Sequence, residues 1–104
     1  MPTIFAMKET DDSILDILSQ TAIPVQRGTI LWYINANEEF PDTARTTFYR
    51  RTGRLVYADL VTEIDERFFE LADYGERYLS DELSAAEEME ISKRMGEGPP
   101  NVDS

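Results

Sequence analysis

Residues 43–55 read "TARTTFYRRTGRL" and hold four of the chain's ten basic residues, Arg45, Arg50, Arg51 and Arg54, with no acidic residue among them. A guanidinium is a planar, permanently charged fork of N–H donors. It matches phosphate oxygens and the O6/N7 edge of guanine. Thr46 and Thr47 add hydroxyls that can donate to the same acceptors, and Tyr49 carries a ring that could stack on a sugar or base or cover the edge of a core. This is the chemistry of a surface for a polyanion, yet the 104-residue chain has a formal net charge of −11. The imbalance is regional: residues 1–23 sum to −3, residues 24–58 to +2 and residues 59–104 to −10.

Composition removes other chemistries. Cysteine and histidine are both absent, which excludes disulfides, Cys/His zinc sites and the Ser–His and Cys–His nucleophile pairs. Carboxylate chemistry would need acids converging in a pocket, whereas Asp11–Asp12, Glu38–Glu39, Asp81–Glu82 and Glu87–Glu88 are spread along the chain in polar contexts. They read as solvated surface charge. The Pro-Asp of "FPDTAR" lacks the acidic-x-Lys partner of a metal-dependent nuclease motif. No enzyme activity, metal or cofactor is expected. With no signal-peptide pattern and no apolar run of membrane-spanning length, the expected location is the cytoplasm. Eight of the ten cations are Arg. An acidic surface poor in Lys suits a high-salt cytoplasm, or an acidic protein-binding module.

The arginines need a scaffold. "TDDSILDILSQ" predicts a first helix, capped by Thr10 or Asp11, with Ile14, Leu15, Ile17 and Leu18 inward. A second helix is predicted over residues 24–34, with Ile30, Leu31 and Ile34 inward and Trp32 and Tyr33 towards the rim; "NANEEFPD" follows as a connector. The arginine segment then predicts a third helix from a cap at Asp42 or Thr43 to about Ala58. Ala44, Phe48, Thr52 and Leu55 share its core side. Arg50, Arg54, Thr46 and Thr47 lie opposite, and Arg45 and Arg51 flank the apolar stripe. A hairpin is predicted from Leu60 to Leu71 with "DER" as its turn, Arg67 being the wing's single cation. A fourth helix capped by Asp73 would face Tyr74, Tyr78 and Leu79 to the core. "SAAE" opens a possible fifth helix, to about Met95, through a capping box. Trp32, Phe68, Phe69, Tyr74 and Tyr78 read as core rather than site. Met89 and Met95, with Ala85 and Ala86, suit either a second subunit or this domain's own core. Residues 1–9 are expected as an arm and residues 96–104 as a disordered tail.

Three helices, a hairpin and another helix make the order of a winged helix-turn-helix, mainly α with a small β-hairpin. Its third helix enters the DNA major groove. Within that frame, "FYRRTGRLVYADLV" and "EIDERFFELADYGERYLSDEL" resemble the small winged-helix regulators of haloarchaea and their viruses, those similar to the haloarchaeal phage phiH repressor. The likeness spans residues 10–84 and includes the first helix, "DDSILDIL". It rests on Arg50–Arg51, on Leu55, on the strand entry at Ala58, Asp59, Leu60 and Val61, and on Gly75, Tyr78 and Leu79. Three positions depart from the family pattern. Asp59 stands for a glycine, Ala72 for a threonine cap, and the connector before the third helix is longer.

The resemblance implies a sequence-specific transcription regulator, expected to be a repressor and a homodimer on double-stranded DNA. It also reads the acidic surface as halophilic adaptation. The expected DNA contacts are Arg45, Thr46, Thr47, Tyr49, Arg50, Arg51, Arg54 and Arg67. The alternative is a winged-helix protein-interaction module that acts through its acidic C-terminal half without DNA.

Overall fold

The computed structural model describes residues 7–21 and 23–99. The first apolar-periodic stretch forms α1 (Glu9–Ser19), burying Ile14, Leu15, Ile17 and Leu18. The helix starts earlier than predicted, from Lys8. Asp11 therefore sits three residues inside, where its Oδ2 accepts the backbone N–H of Lys8 at 2.9 Å. A carboxylate at the positive end of a helix is favourable there.

The second helix, α2 (Arg27–Ala36), begins three residues later than predicted because Val25–Gln26 form a short strand, β1. That strand pairs antiparallel with the returning strand of the hairpin, Val25 opposite Phe69. Local periodicity favoured helix here, but the hydrogen-bond partner lies more than forty residues away in sequence. The first N–H of α2, on Arg27, also crosses to the carbonyl of Arg67 at 2.9 Å.

The connector to α3 (Arg45–Tyr57) is held closed by one side chain. The Asn35 Oδ1 accepts the backbone N–H of Thr43 at 2.8 Å, and its Nδ2 donates to the Thr43 carbonyl at 3.0 Å. The cap residue is Ala44, with no side-chain cap bond; neither Asp42 nor Thr43 serves as cap. At the other end the chain leaves α3 through two back-bonds, Asp59 N–H to Val56 O and Leu60 N–H to Leu55 O, with Asp59 at φ 64°. That is a Schellman ending, normally supplied by glycine; aspartate is among the residues that tolerate the left-handed conformation.

The hairpin follows as expected. It comprises β2 (Val61–Ile64) and β3 (Phe68–Leu71), in register Val61 with Leu71 and Ile64 with Phe68, around a turn at residues 65–67. The sheet order is β1-β3-β2. Next come α4 (Asp73–Leu79) and α5 (Ala85–Glu97). Asp73 does not cap α4; it is the first helical residue, after Ala72, and accepts from Arg77 at 3.0 Å instead. Leu79 points outward, 43% exposed, contrary to expectation, and so does Trp32 at 67%. Tyr74 and Tyr78 are half-buried, and the Tyr78 hydroxyl donates to Asp12 at 3.1 Å. Burial beside those carboxylates pushes the Tyr78 phenol up to about 12.

Helix α5 is not an appendage. Ile91 and Met95 are fully buried with Phe48, Leu55 and Leu60, while Met89 faces solvent. The helix continues to Glu97, past the point where a tail was expected; residues 100–104, like 1–6, lie outside the described residues. Among the described residues the fold is thus five helices and a three-stranded antiparallel sheet, an order compatible with a winged helix. None of its helices is long and apolar enough to cross a membrane.

Arg77 fastens α4 to α5. Its guanidinium donates to both carboxylate oxygens of Glu87 at 2.9 and 2.8 Å. Glu87 also closes the capping box with Ser84 at 2.9 and 3.1 Å, as the sequence predicted. The Arg77 hydrogen bonds, followed by that from Ser84, pull the Glu87 carboxyl from its ordinary value of 4.5 to about 2. A carboxyl depressed on folding contributes stability above its unfolded pKa and loses it as pH falls through the folded value. Stability measured by denaturant titration should therefore fall between about pH 4.5 and 2. Glu87→Gln should flatten that part of the profile. An unchanged acid limb in the variant would rule the contribution out.

Candidate nucleic-acid interface

The arginine segment does form the expected helix, but its cations divide into two groups. Arg51 is turned inward: it is 7% exposed, and Asp11 beneath it is fully buried. The Arg51 Nε donates to Asp11 Oδ1 at 2.9 Å and its Nη2 to Oδ2 at 2.6 Å, a bidentate pair joining α3 to α1. Arg54 lies along α5, where its Nη1 donates to the carbonyls of Met95 and Gly96. Those carbonyls belong to the last turn of α5, which lacks intrahelical partners and carries partial negative charge. Arg54 thus caps another helix across the core, and Gly98, at φ 73°, leaves room for its guanidinium. The expectation that Arg51 and Arg54 belong to an outward DNA-reading face is corrected on both counts. Each is held by a partner that sequence spacing alone does not reveal.

The other group faces solvent. Arg45, Thr46, Tyr49 and Arg50 are all exposed, Thr47 half so. At 3.6 residues per turn the first four occupy an arc of about 140° on the helix. The Arg45 Nη1 donates to the Tyr49 hydroxyl at 3.0 Å and its guanidinium lies 5.7 Å from the ring centroid. The exposed side chain of Arg50 makes no hydrogen bond or ion pair among the described residues, and neither does that of Arg67 on the wing turn.

Arg27, which sequence reasoning passed over, connects these parts. Its guanidinium lies 5.1 Å from the centroids of both Tyr49 and Phe69, and its Nη2 donates to Glu63 at 3.1 Å. Its backbone N–H holds the wing at Arg67. Arg27 therefore locks α2, α3 and the wing together, with its charge compensated by Glu63. The available signal was a lone arginine directly after a proline-led extended dipeptide, which is weak.

Among the described residues the guanidiniums of Arg45, Arg50 and Arg67 have no carboxylate partner. The wing turn that carries Arg67 also carries the acids Asp65 and Glu66. Such a surface can hold a few phosphates and donate to base edges, but it cannot neutralise a long stretch of backbone. Among the described residues no group of acidic side chains is placed to hold a metal ion. No protein-family model matches the chain, and no characterised protein or solved structure matches it either.

Proposed function

We propose that this chain is a winged helix-turn-helix protein that binds double-stranded DNA through α3 and regulates transcription, of the kind found in haloarchaea and their viruses. The observation that carries the reading is the coincidence of two features. The strand order β1-β3-β2 follows an α1-β1-α2-α3 array, and the solvent-facing arc of α3 carries Arg45, Thr46, Tyr49 and Arg50. In this reading Arg50 donates to a guanine edge or a phosphate, Arg45 is held in place by Tyr49, and Arg67 reaches the backbone from the wing. Repression as a homodimer is part of the proposal. Met89, Ala85 and Ala86, all exposed on α5, offer the dimer its contact.

The test is a titration against duplex DNA from around the chain's own gene and against random duplex. Arg50→Ala is expected to cost roughly 1–3 kcal/mol of discrimination between them. Arg54→Ala should instead lower stability by about 1 kcal/mol, as the loss of a helix-end cation does, and leave base preference unchanged. With about three phosphates neutralised, log affinity should fall against log salt with a slope of roughly −3, shallow for a DNA-binding protein. High salt also screens the repulsion between duplex and acidic surface.

A second reading is favoured by one observation, the engagement of Arg51 and Arg54 inside the fold. It makes the chain a winged-helix interaction module that works through its acidic C-terminal half. Failure of the folded chain to bind either duplex would favour that reading over the first.

A further inference from the structure

A second surface lies away from α3. One hollow, of about 440 Å³, is formed by the end of α1, the following loop, β3 and α4, and is lined by Leu18, Ile23, Leu71 and Leu79 with Glu70 and Glu76. A neighbouring hollow of about 420 Å³ is lined by Asp12, Asp16, Phe40, Tyr78 and again Leu79. Leu79 borders both, so the two adjoin as one trough with a mixed polar and apolar lining in the first part and a mainly apolar one in the second, and no residue of α3 lines either part.

Two properties of this trough are unusual for an idle surface. Ile23 and Leu79 stand 71% and 43% exposed beside the buried Leu18, with Glu70 and Glu76 lining the same hollow. Exposed apolar side chains that share a concave surface with acids, as these two do, are the anchors and rim that a docking partner can use. Furthermore, every charged residue lining the trough is acidic. None of Asp12, Asp16, Glu70 and Glu76 has a cationic partner among the described residues, although Arg77 and Arg94 on nearby helices are each paired with two acids elsewhere.

From this charge complementarity we infer that the trough between α1, β3 and α4 is a docking surface for a cationic amphipathic helix of a partner protein. Leucine-class side chains would enter beside Ile23 and Leu79, and flanking Lys or Arg would meet Asp12, Asp16, Glu70 and Glu76. A second copy of this chain fits less well. It carries a net charge of −11. Helix-in-groove recognition supplies apolar anchors at i, i+3, i+4 and i+7, and acids along the rim would set partner choice and approach. The inference stands apart from the DNA reading, since the two surfaces share no residue.

The experiment uses the whole chain, isotope-labelled, at the lowest salt at which circular dichroism shows it folded. The probe is a synthetic helical peptide of about four turns, with leucines on one face and lysines beside them. Two control peptides replace the lysines with glutamates or the leucines with serines. The cationic amphipathic peptide should shift backbone amide resonances in the exposed face of α1, around Ile23 and in α4, leaving α3 unmoved. Leu79→Glu and, separately, Glu76→Lys should each weaken binding by about tenfold or more. Both sites are exposed, and each variant's fold is checked by dichroism. Three results would overturn the inference. Shifts could fall on α3 or spread diffusely, or the serine peptide could bind as well as the leucine peptide, or concentration-dependent self-association could protect the same amides, placing a second copy in the trough.

Discussion

Asp11→Ala is expected to destabilise the fold by about 3–5 kcal/mol, because it leaves a buried guanidinium without its counter-charge. Asp11 is fully buried and both its oxygens accept from Arg51, at 2.9 and 2.6 Å, while Oδ2 also takes the N–H of Lys8, the residue just ahead of α1. Removing the carboxylate therefore breaks the joint between α1 and α3 and undoes the start of α1 at the same time. Arg51→Ala should cost a comparable amount by leaving the buried carboxylate uncompensated. Desolvating an ion pair is expensive even when its geometry is good, so an apolar replacement of both partners can be close to neutral. Asp11→Leu combined with Arg51→Met should accordingly recover most of the loss suffered by either single variant. Urea unfolding at constant slope gives the differences directly. Singles costing less than about 1 kcal/mol, the value of an exposed pair, would contradict this account of the burial. The double variant has a second use. If Arg51 serves only to set the position of α3, a folded double variant should keep its preference for cognate DNA. A lost preference in a folded protein would return Arg51 to the interface.

Gly75→Ala should be the most damaging methyl group that can be added to the chain. Helix propensity points the other way, since alanine is better than glycine in a helix by nearly 1 kcal/mol. Here α4 runs against the strand entry, and a Cβ at position 75 would collide with the carbonyl oxygen of Leu60 and stand 2.8 Å from Leu71 Cδ1. The carbonyl cannot swing aside freely, because it accepts the N–H of Ala72 at 3.1 Å just ahead of α4. We expect a loss of about 3 kcal/mol, the upper end for overpacking, since the obstacle is backbone. In a domain of this size that corresponds to a melting temperature lower by roughly 12–24 °C. Gly28→Ala is the matched control: an added Cβ there meets nothing within 4 Å. It should gain up to about 1 kcal/mol from propensity. A Gly75→Ala protein that melts with the wild type would mean that α4 does not approach the sheet this closely.

Both results bear on how the arginine segment should be understood. Helix α3, the hairpin and the Ser84 capping box were legible because each rests on local rules. These are the 3.6-residue spacing of Phe48 and Leu55, two-residue alternation, turn residues, and a serine three positions before a glutamate. The N-terminal bounds of α1 and α2 were misplaced for different reasons. Lys8 precedes the helix without offering a side-chain acceptor, and β1 exists by virtue of a strand more than forty residues away.

The site divides along the same line. By itself the sequence determined that these arginines lie on one helix, and that Thr46, Tyr49 and Arg50 face away from its core side, because helical periodicity is a property of the chain. It could not determine what each guanidinium meets. Arg51 flanks the apolar stripe and Arg54 falls on the side opposite the core, yet each side chain is long enough to reach a partner that spacing does not reveal. Only the tertiary structure decided, by placing the Asp11 carboxylate under one and the open carbonyls of α5 beside the other. Charge in a sequence is counted one residue at a time, whereas its availability depends on partners that packing brings together from about forty residues away, as it does here for both arginines.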